Sequence, residues 1–226
     1  MFKQKSLFIL CFAVILVFRI VQIHAQDGGQ LIKHIMYQEF DKAKALVENG
    51  VDVNYQDKSY GSTALILACQ YGFVDMAKFL VEKGADVNLQ AKNGHSPLIA
   101  SAGVSQELME YLLSKGADVK LKDETGRTAF THSITGVLME RVTTDAAELL
   151  LKKGADVDEA ANTGRSEGYT CLMMAARNQN PELVKFLVKN GADVNAKAKD
   201  GKTPLSLAEK EKDTEMVKLL KKLGAK

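Results

Sequence analysis

The feature that most constrains this chain is a short phrase, Gly-Ala-Asp-Val, which recurs with small changes along almost the whole sequence. Its glycines follow one another at spacings of 34, 32, 38, 37 and 33 residues. A second phrase, close to Gly-x-Thr-Pro-Leu, recurs in a fixed phase with the first. A repeat of this length predicts a solenoid, in which each unit packs only against its neighbours. The glycines of the first phrase are Gly50, Gly84, Gly116, Gly154, Gly191 and Gly224.

The residues between the two phrases predict two short helices in each unit. Thr or Ser in the second phrase is placed to cap the first helix, because its hydroxyl can accept a hydrogen bond from a free backbone N–H. Pro97 and Pro204 follow that cap, at a position where a missing N–H has no cost. Apolar stripes such as Leu65, Ala68 and Cys69 face a common core. The glycine of the first phrase then ends the second helix, and the Asp that follows predicts a turn.

Together the two phrases resemble the ankyrin repeat, which has a period of about 33 residues and a Thr-Pro-Leu-His signature. The resemblance covers nearly everything after residue 26. It implies an all-α ankyrin-repeat solenoid over residues 26–226, built from helix-turn-helix units that are joined by β-hairpin-like loops. The expected units are about 26–56 as an N-terminal cap, 57–90, 91–122, 123–160, 161–198, and 199–226 as a C-terminal cap.

Two of the spacings exceed this period and indicate insertions. The unit that ends at Gly154 has five extra residues between its helices, within Thr135–Thr144. The unit that ends at Gly191 has four extra residues in its hairpin, within Glu159–Glu167. Insertions in repeat proteins fall in loops and often on a binding face, but a tolerant surface loop also accumulates them neutrally. Both interpretations stay open, and the hairpin insertion is the better candidate for a binding role.

The first 25 residues have the features of a secretory signal peptide. Lys3 and Lys5 precede an unbroken apolar run from Leu7 to Phe18, and Ala25 is the best cleavage point. We therefore expect an exported protein, periplasmic or secreted, most similar to ankyrin-repeat proteins of the bacterial periplasmic type. The alternative is an uncleaved membrane anchor, although Arg19 cuts the apolar run short of the roughly 20 residues that a spanning helix needs.

The charge of the chain argues against nucleic acid as a partner. The formal net charge is +2, but three basic residues and no acidic residue lie in the first 25 positions. Without that segment the count is 27 basic against 28 acidic residues, and no Lys/Arg-rich run stands out. We therefore expect neither nucleic acid nor, after cleavage of the signal, a membrane surface to be the partner.

The sequence contains no motif for an enzyme's phosphate loop, nucleophile elbow or zinc-protease helix. We expect no enzymatic activity, no catalytic residue and no cofactor. His34, His95 and His132 fall in three different units, so we expect them not to converge on a metal ion. Cys69 and Cys171 lie three repeats apart, which is too far for a disulfide and predicts two free, packed thiols.

The resemblance implies a non-catalytic protein–protein interaction module, an adaptor or scaffold that acts as a monomer and binds a partner protein through its concave surface. Hairpin tips and the ends of first helices line that surface in the family. Alternatives are a membrane-tethered scaffold with an uncleaved N-terminus and an inhibitor of a partner enzyme. Carried over by position, the candidate partner-binding residues are Tyr60, Tyr71, Lys92, His95, Arg127, Arg165, Tyr169, Arg177 and Lys202.

Overall fold

The computed structural model describes residues 28–160 and 167–226, and its helices follow one another as consecutive antiparallel pairs. The predicted signal peptide, residues 1–25, and the candidate residue Arg165 lie outside these ranges. The pairs are α1 (28–36) and α2 (Phe40–Glu48), α3 (Ala64–Gln70) and α4 (Val74–Glu82), α5 (Pro97–Ser101) and α6 (Gln106–Ser114), α7 (Ala129–Leu138) and α8 (Thr144–Lys152), α9 (Cys171–Arg177) and α10 (Pro181–Lys189), and α11 (Pro204–Lys210) and α12 (Thr214–Lys222).

The pairs stack in register. The first helices of successive units pack against one another from α3 through α5, α7 and α9 to α11, and the second helices α4, α6 and α8 do the same. Within 28–160 and 167–226 no strand forms, and the one sheet-like pairing is an isolated bridge between Ala160 and Thr170. This arrangement confirms the predicted all-α solenoid.

The predicted helix caps form at α3, α5, α9 and α11, whereas at α7 the predicted cap Thr128 makes no side-chain capping bond. The hydroxyls of Thr63, Ser96 and Thr170 accept hydrogen bonds of 3.1, 3.2 and 3.3 Å from backbone N–H groups three residues ahead. Thr203 and Ser206 satisfy each other's backbone N–H groups in a reciprocal capping box. These bonds fix the first turn of helices that are too short to be stable alone.

The core consists of the small and branched apolar residues that the stripes predicted. Leu65, Ala68 and Cys69 of α3 are fully buried, and so are the corresponding Leu172 and Ala175 of α9. Alanine at these positions lets neighbouring first helices approach closely. Cys69 and Cys171 are both free and buried, as predicted. No helix in the described ranges is long and apolar enough to span a bilayer.

The loops that follow the second helices are tied to one another by an asparagine ladder, which comprises Asn54, Asn88 and Asn195. In its first step, Asn54 Nδ2 donates to the Gly84 carbonyl over 3.2 Å, and Asn54 Oδ1 accepts from the Asp86 N–H over 2.7 Å. Asn88 and Asn195 repeat the arrangement one and four units further along. The phrase Asp-Val-Asn therefore does more than form the predicted turn, because its last residue joins consecutive units.

The insertion within Thr135–Thr144 lengthens a helix as well as a loop. Helix α7 has 10 residues, whereas α3, α9 and α11 each have 7. Its final residues carry the chain past the usual end of a first helix before it turns at Met139. The sequence predicted extra residues between the helices, and only the structure shows that α7 is three residues longer than α3, α9 and α11.

Candidate protein-binding surface

The exposed side of α5 and α7 forms a depression, which we call the inner groove. Its volume is about 170 Å³. It runs from the hairpin end of α5, at His95, to the far end of α7, at Met139. The small residues Ala100, Gly103 and Gly136 form its floor, so the two backbones lie close together. Polar residues at its rim are Gln70, His132, Thr135 and Arg141.

A row of exposed apolar side chains lies where first helices end and the chain turns back. Tyr71, Val104 and Met139 occupy this place in three consecutive units and are 50%, 41% and 57% exposed. Met36 and Tyr37 occupy it in the N-terminal unit, with 53% and 69% exposure. We call these five residues the turn edge. Isolated exposed apolar residues are ordinary on a surface, but a row in successive units indicates a site for a partner.

The turn edge is braced from beneath by aromatic contacts. The ring of Tyr71 stacks on Phe73 with 5.6 Å between centroids, and Phe73 meets the edge of the Phe40 ring at 5.0 Å. Val104 lies close to Gly72, the residue next to Tyr71, and Val104 and Met139 both line the inner groove. The turn edge therefore adjoins the inner groove at Tyr71 and shares Val104 and Met139 with it.

Three titratable side chains meet at the hairpin end of the inner groove. Asp123 Oδ2 lies 2.8 Å from His132 Nε2 and 3.9 Å from His95 Nε2. The two imidazole rings meet edge to face with centroids 5.4 Å apart. Burial raises the pKa of Asp123, but hydrogen bonds from Thr125, His132 and the Arg127 backbone outweigh it and hold that pKa below its usual value.

The expectation that the histidines stay apart was wrong for two of them. His95 and His132 belong to different units, but those units are neighbours, and stacking lays the hairpin of one beside the first helix of the next. Burial lowers the pKa of His95, and the adjacent His132 lowers it further against the opposing charges of Asp123 and Glu124. Only His34 is separate, where it pairs with Glu39 in the N-terminal unit.

The family model for ankyrin repeats matches the chain three times, at residues 31–123, 84–161 and 137–226. The chain belongs to the ankyrin-repeat family. A search of curated proteins returns no match. Ankyrin repeats are protein–protein interaction modules, and no enzyme family is indicated for this chain.

In this ankyrin-repeat protein, four of the predicted partner-binding residues are exposed. Tyr60 and Lys92 lie at hairpin tips, and Tyr71 and Arg177 end the first helices α3 and α9. The ammonium group of Lys92 donates to the carbonyl groups of Lys58 and Ser59 in the preceding hairpin. Lys92 therefore also joins neighbouring tips.

Three further candidates are half-buried. They are His95 in the cluster described above, Arg127, whose Nε is buried without a hydrogen-bond partner among the described residues, and Lys202, which pairs with Asp200. Each is partly covered and offers a partner only part of its side chain.

Tyr169 does not fit the expectation of an exposed anchor. It is only 6% exposed and packs with Met173, with Ala198 at the boundary between the last two units, and with Leu207 of the last unit. Lys202 lies over its ring, with Nζ 5.8 Å from the centroid. The sequence position alone indicated a tip residue, but the following unit covers the ring.

Sequence reasoning missed Met36 and Tyr37 of the turn edge, and it also missed Val104 and Met139. Val104 and Met139 both stand at the end of a first helix, the same position that singled out Tyr71 and Arg177. The signal was therefore available, but Val and Met in a repeat sequence usually indicate core. Only exposure in the stacked structure separates them from the buried residues around them.

Proposed function

We propose that this ankyrin-repeat protein is an exported, non-catalytic adaptor that binds a partner protein along the inner groove and the turn edge. The observation that carries the proposal is the unequal character of the turn edge along the solenoid. The first four units present Met36, Tyr37, Tyr71, Val104 and Met139. The last two units present Arg177, Asn178, Lys210 and Glu211 at the same place, and all four are exposed.

Single exposed apolar residues are ordinary, but solubility gives no reason for them to recur at one place in four consecutive units. The change from apolar to polar after the fourth unit therefore favours a partner that covers the N-terminal two thirds of the solenoid. Rigid aromatic and arginine side chains contribute most to binding energy in protein interfaces. Tyr71 stands at the centre of the row, braced by Phe73, and Arg141 lies at the rim of the groove.

Export is supported by the N-terminal sequence. The basic start, the 12-residue apolar run from Leu7 to Phe18 and the small residue Ala25 are the three parts of a cleavable signal. N-terminal sequencing of the protein purified from its own compartment tests this directly. A mature chain that begins at Gln26 supports export, whereas an intact N-terminus favours the membrane-tethered scaffold.

Site-specific crosslinking tests the binding surface. A photoreactive amino acid is placed at Tyr71 or Met139 of the full chain in its native host, and crosslinked products are identified by mass spectrometry. The matched control carries the same group at Lys218, an exposed position on α12 at the other end of the solenoid. A third position, Tyr60, reports whether hairpin tips take part.

We expect one protein to be captured from positions 71 and 139 but not from 218, and its capture to fall when Val104 is changed to Ser. Equal capture at all positions, or capture from 218 alone, would contradict the assignment of the surface. Capture from position 60 together with 71 and 139 would extend the interface to the tips.

A further inference from the structure

His95, Asp123 and His132 bring three metal-ligand atoms together at the hairpin end of the inner groove. One ligand atom from each, two ring nitrogens and one carboxylate oxygen, lie within 4.8 Å of one another. The Asp123 side chain is 4% exposed, while those of His95 and His132 are 31% and 24% exposed. A buried carboxylate thus lies beneath two imidazoles that solvent can still reach.

Asp123 is held in place by one of its oxygens and offers the other. Oδ1 accepts hydrogen bonds from the Thr125 N–H at 2.8 Å, the Thr125 hydroxyl at 2.6 Å and the Arg127 N–H at 3.0 Å. Oδ2 faces the two histidines. Outer hydrogen bonds of this kind orient a ligating carboxylate and keep it in place when a metal ion arrives.

We propose that His95 Nε2, Asp123 Oδ2 and His132 Nε2 form a binding site for a divalent transition-metal ion of the zinc class. Two imidazoles and one carboxylate suit such an ion better than Mg²⁺ or Ca²⁺, which prefer a full set of oxygen ligands. The three side chains leave a fourth tetrahedral position open towards the groove.

The site can close if the side chains draw together, since all three separations between ligand atoms are within 4.8 Å. Metal–ligand bonds of about 2.0–2.2 Å in a tetrahedron place ligand atoms about 3.3 Å apart. The carboxylate oxygen lies 2.8 Å from one imidazole nitrogen and 3.9 Å from the other, on either side of that value. Half-buried rings can adjust by this much through rotation about their side-chain bonds.

The proton count is balanced without a further reactant. His132 now shares a proton with Asp123 Oδ2 through Nε2. A neutral imidazole that binds the ion through Nε2 carries its proton on Nδ1 instead, so the ring changes tautomer and the Asp–His hydrogen bond gives way to two metal bonds. The anionic carboxylate remains the only charged ligand.

The other units show that the solenoid does not need these residues. The position of His132 is taken by Leu67, Ala100, Met174 and Leu207. That of Asp123 is taken by Ala91 and Ala198 in units with the same hairpin bond, whereas Asp57 holds its own hairpin through its carboxylate without either histidine. A single histidine would be enough to tie Asp123 to the helix. The second imidazole, contributed by the preceding unit, is what makes the cluster a set of metal ligands.

A zinc titration of the full-length chain tests the proposal. The preparation carries no polyhistidine tag, and binding is measured by competition between ZnCl₂ and a chromophoric chelator. We expect one ion per chain. The variants are His95→Ser and His132→Leu, which copy the residues of other units at those positions and so preserve the fold. The control is His34→Ala, which removes a histidine from the distant N-terminal unit.

We expect each of the two variants to weaken zinc binding about tenfold or more and the control to leave it unchanged. Co²⁺ serves as a second probe, because its absorption reports a tetrahedral site with nitrogen and oxygen ligands, and His132→Leu should abolish that spectrum. Absence of stoichiometric zinc binding, or binding that survives His95→Ser and His132→Leu together, would overturn the proposal. No partner protein enters this test, so its outcome is independent of the adaptor function.

Discussion

The asparagine ladder gives the sharpest prediction about what holds the units together. Changing Asn88 to Ala removes two hydrogen bonds between neighbouring loops, one from Asn88 Nδ2 to the Gly116 carbonyl at 3.1 Å and one from the Asp118 N–H to Asn88 Oδ1 at 2.8 Å. A hydrogen bond contributes about 0.5–1.5 kcal/mol net. Both bonds lie in an exposed loop, so we expect a combined loss of about 1–2 kcal/mol in the free energy of unfolding.

Urea unfolding of the full-length chain, followed by circular dichroism, measures this loss. The midpoint should fall while the slope stays unchanged, because the folded surface is nearly the same. For a chain of this size the same loss lowers the melting temperature by about 2–8 °C. Asn49→Ala is the matched control, since Asn49 is an exposed C-cap of α2 that bonds through its backbone N–H.

The opposite kind of substitution, which introduces an asparagine, should add hydrogen bonds where the asparagine ladder is interrupted. Lys120 stands where Asn54, Asn88 and Asn195 stand in other units, and its side chain cannot both donate and accept. Lys120→Asn should therefore add a step of the ladder towards Gly154 and stabilise the chain by about 1 kcal/mol. The reasoning fails if Asn88→Ala costs less than about 0.3 kcal/mol, or if the Asn49 control costs as much.

Three further predictions concern groups whose environments the stacking creates. Burial raises the pKa of Asp158 and nearby carboxylates raise it further, so ionisation of Asp158 opposes folding. Asp158→Asn should thus stabilise the chain more at about pH 7 than at acid pH, where protonation of the wild-type carboxyl removes this cost; an equal gain at both pH values in urea melts would contradict this. Burial raises the pKa of Cys69 and of Cys171, so peptide mapping should find both unmodified by maleimide in the folded protein and modified in urea. Gly94→Ala places a methyl group 2.6 Å from the next hairpin's backbone at a φ of +79°, and should cost about 2 kcal/mol or more. Gly84→Ala, with a similar φ but open space around it, should cost less in the same measurement.

The sequence predicted well those features that depend on a few adjacent residues. The caps at Thr63 and Ser96, the turns at Asp52 and Asp86 and the glycine that ends each second helix all follow from local backbone chemistry. Each unit needs that chemistry again, so the same residue types return at a fixed spacing and make the repeat visible in the sequence. The buried stripes followed too, because the helix period places them on one face.

Features that depend on two units lie beyond such local chemistry. Tyr169 has the sequence position of an exposed tip residue, but Ala198 at the unit boundary and Leu207 of the next unit cover it. Val104 and Met139 look like core residues, but the turn leaves them facing solvent. In each case the exposure of the side chain depends on how the neighbouring units stack against it. The residues of a single unit do not determine that packing.

The Gly-Ala-Asp-Val phrase by itself determined the architecture: a chain of helix pairs, ended by glycines, whose exposed tips and grooves could serve a partner. It did so because glycine and aspartate favour a turn through their own backbone conformation and local hydrogen bonds, independently of tertiary contacts. Only the tertiary structure decided which surface those pairs present. Stacking brought His95 beside His132, over Asp123, although 37 residues separate the two histidines in the chain. It also aligned Tyr71, Val104 and Met139 into one edge, because stacking places the ends of successive first helices side by side, although these residues are far apart in the sequence.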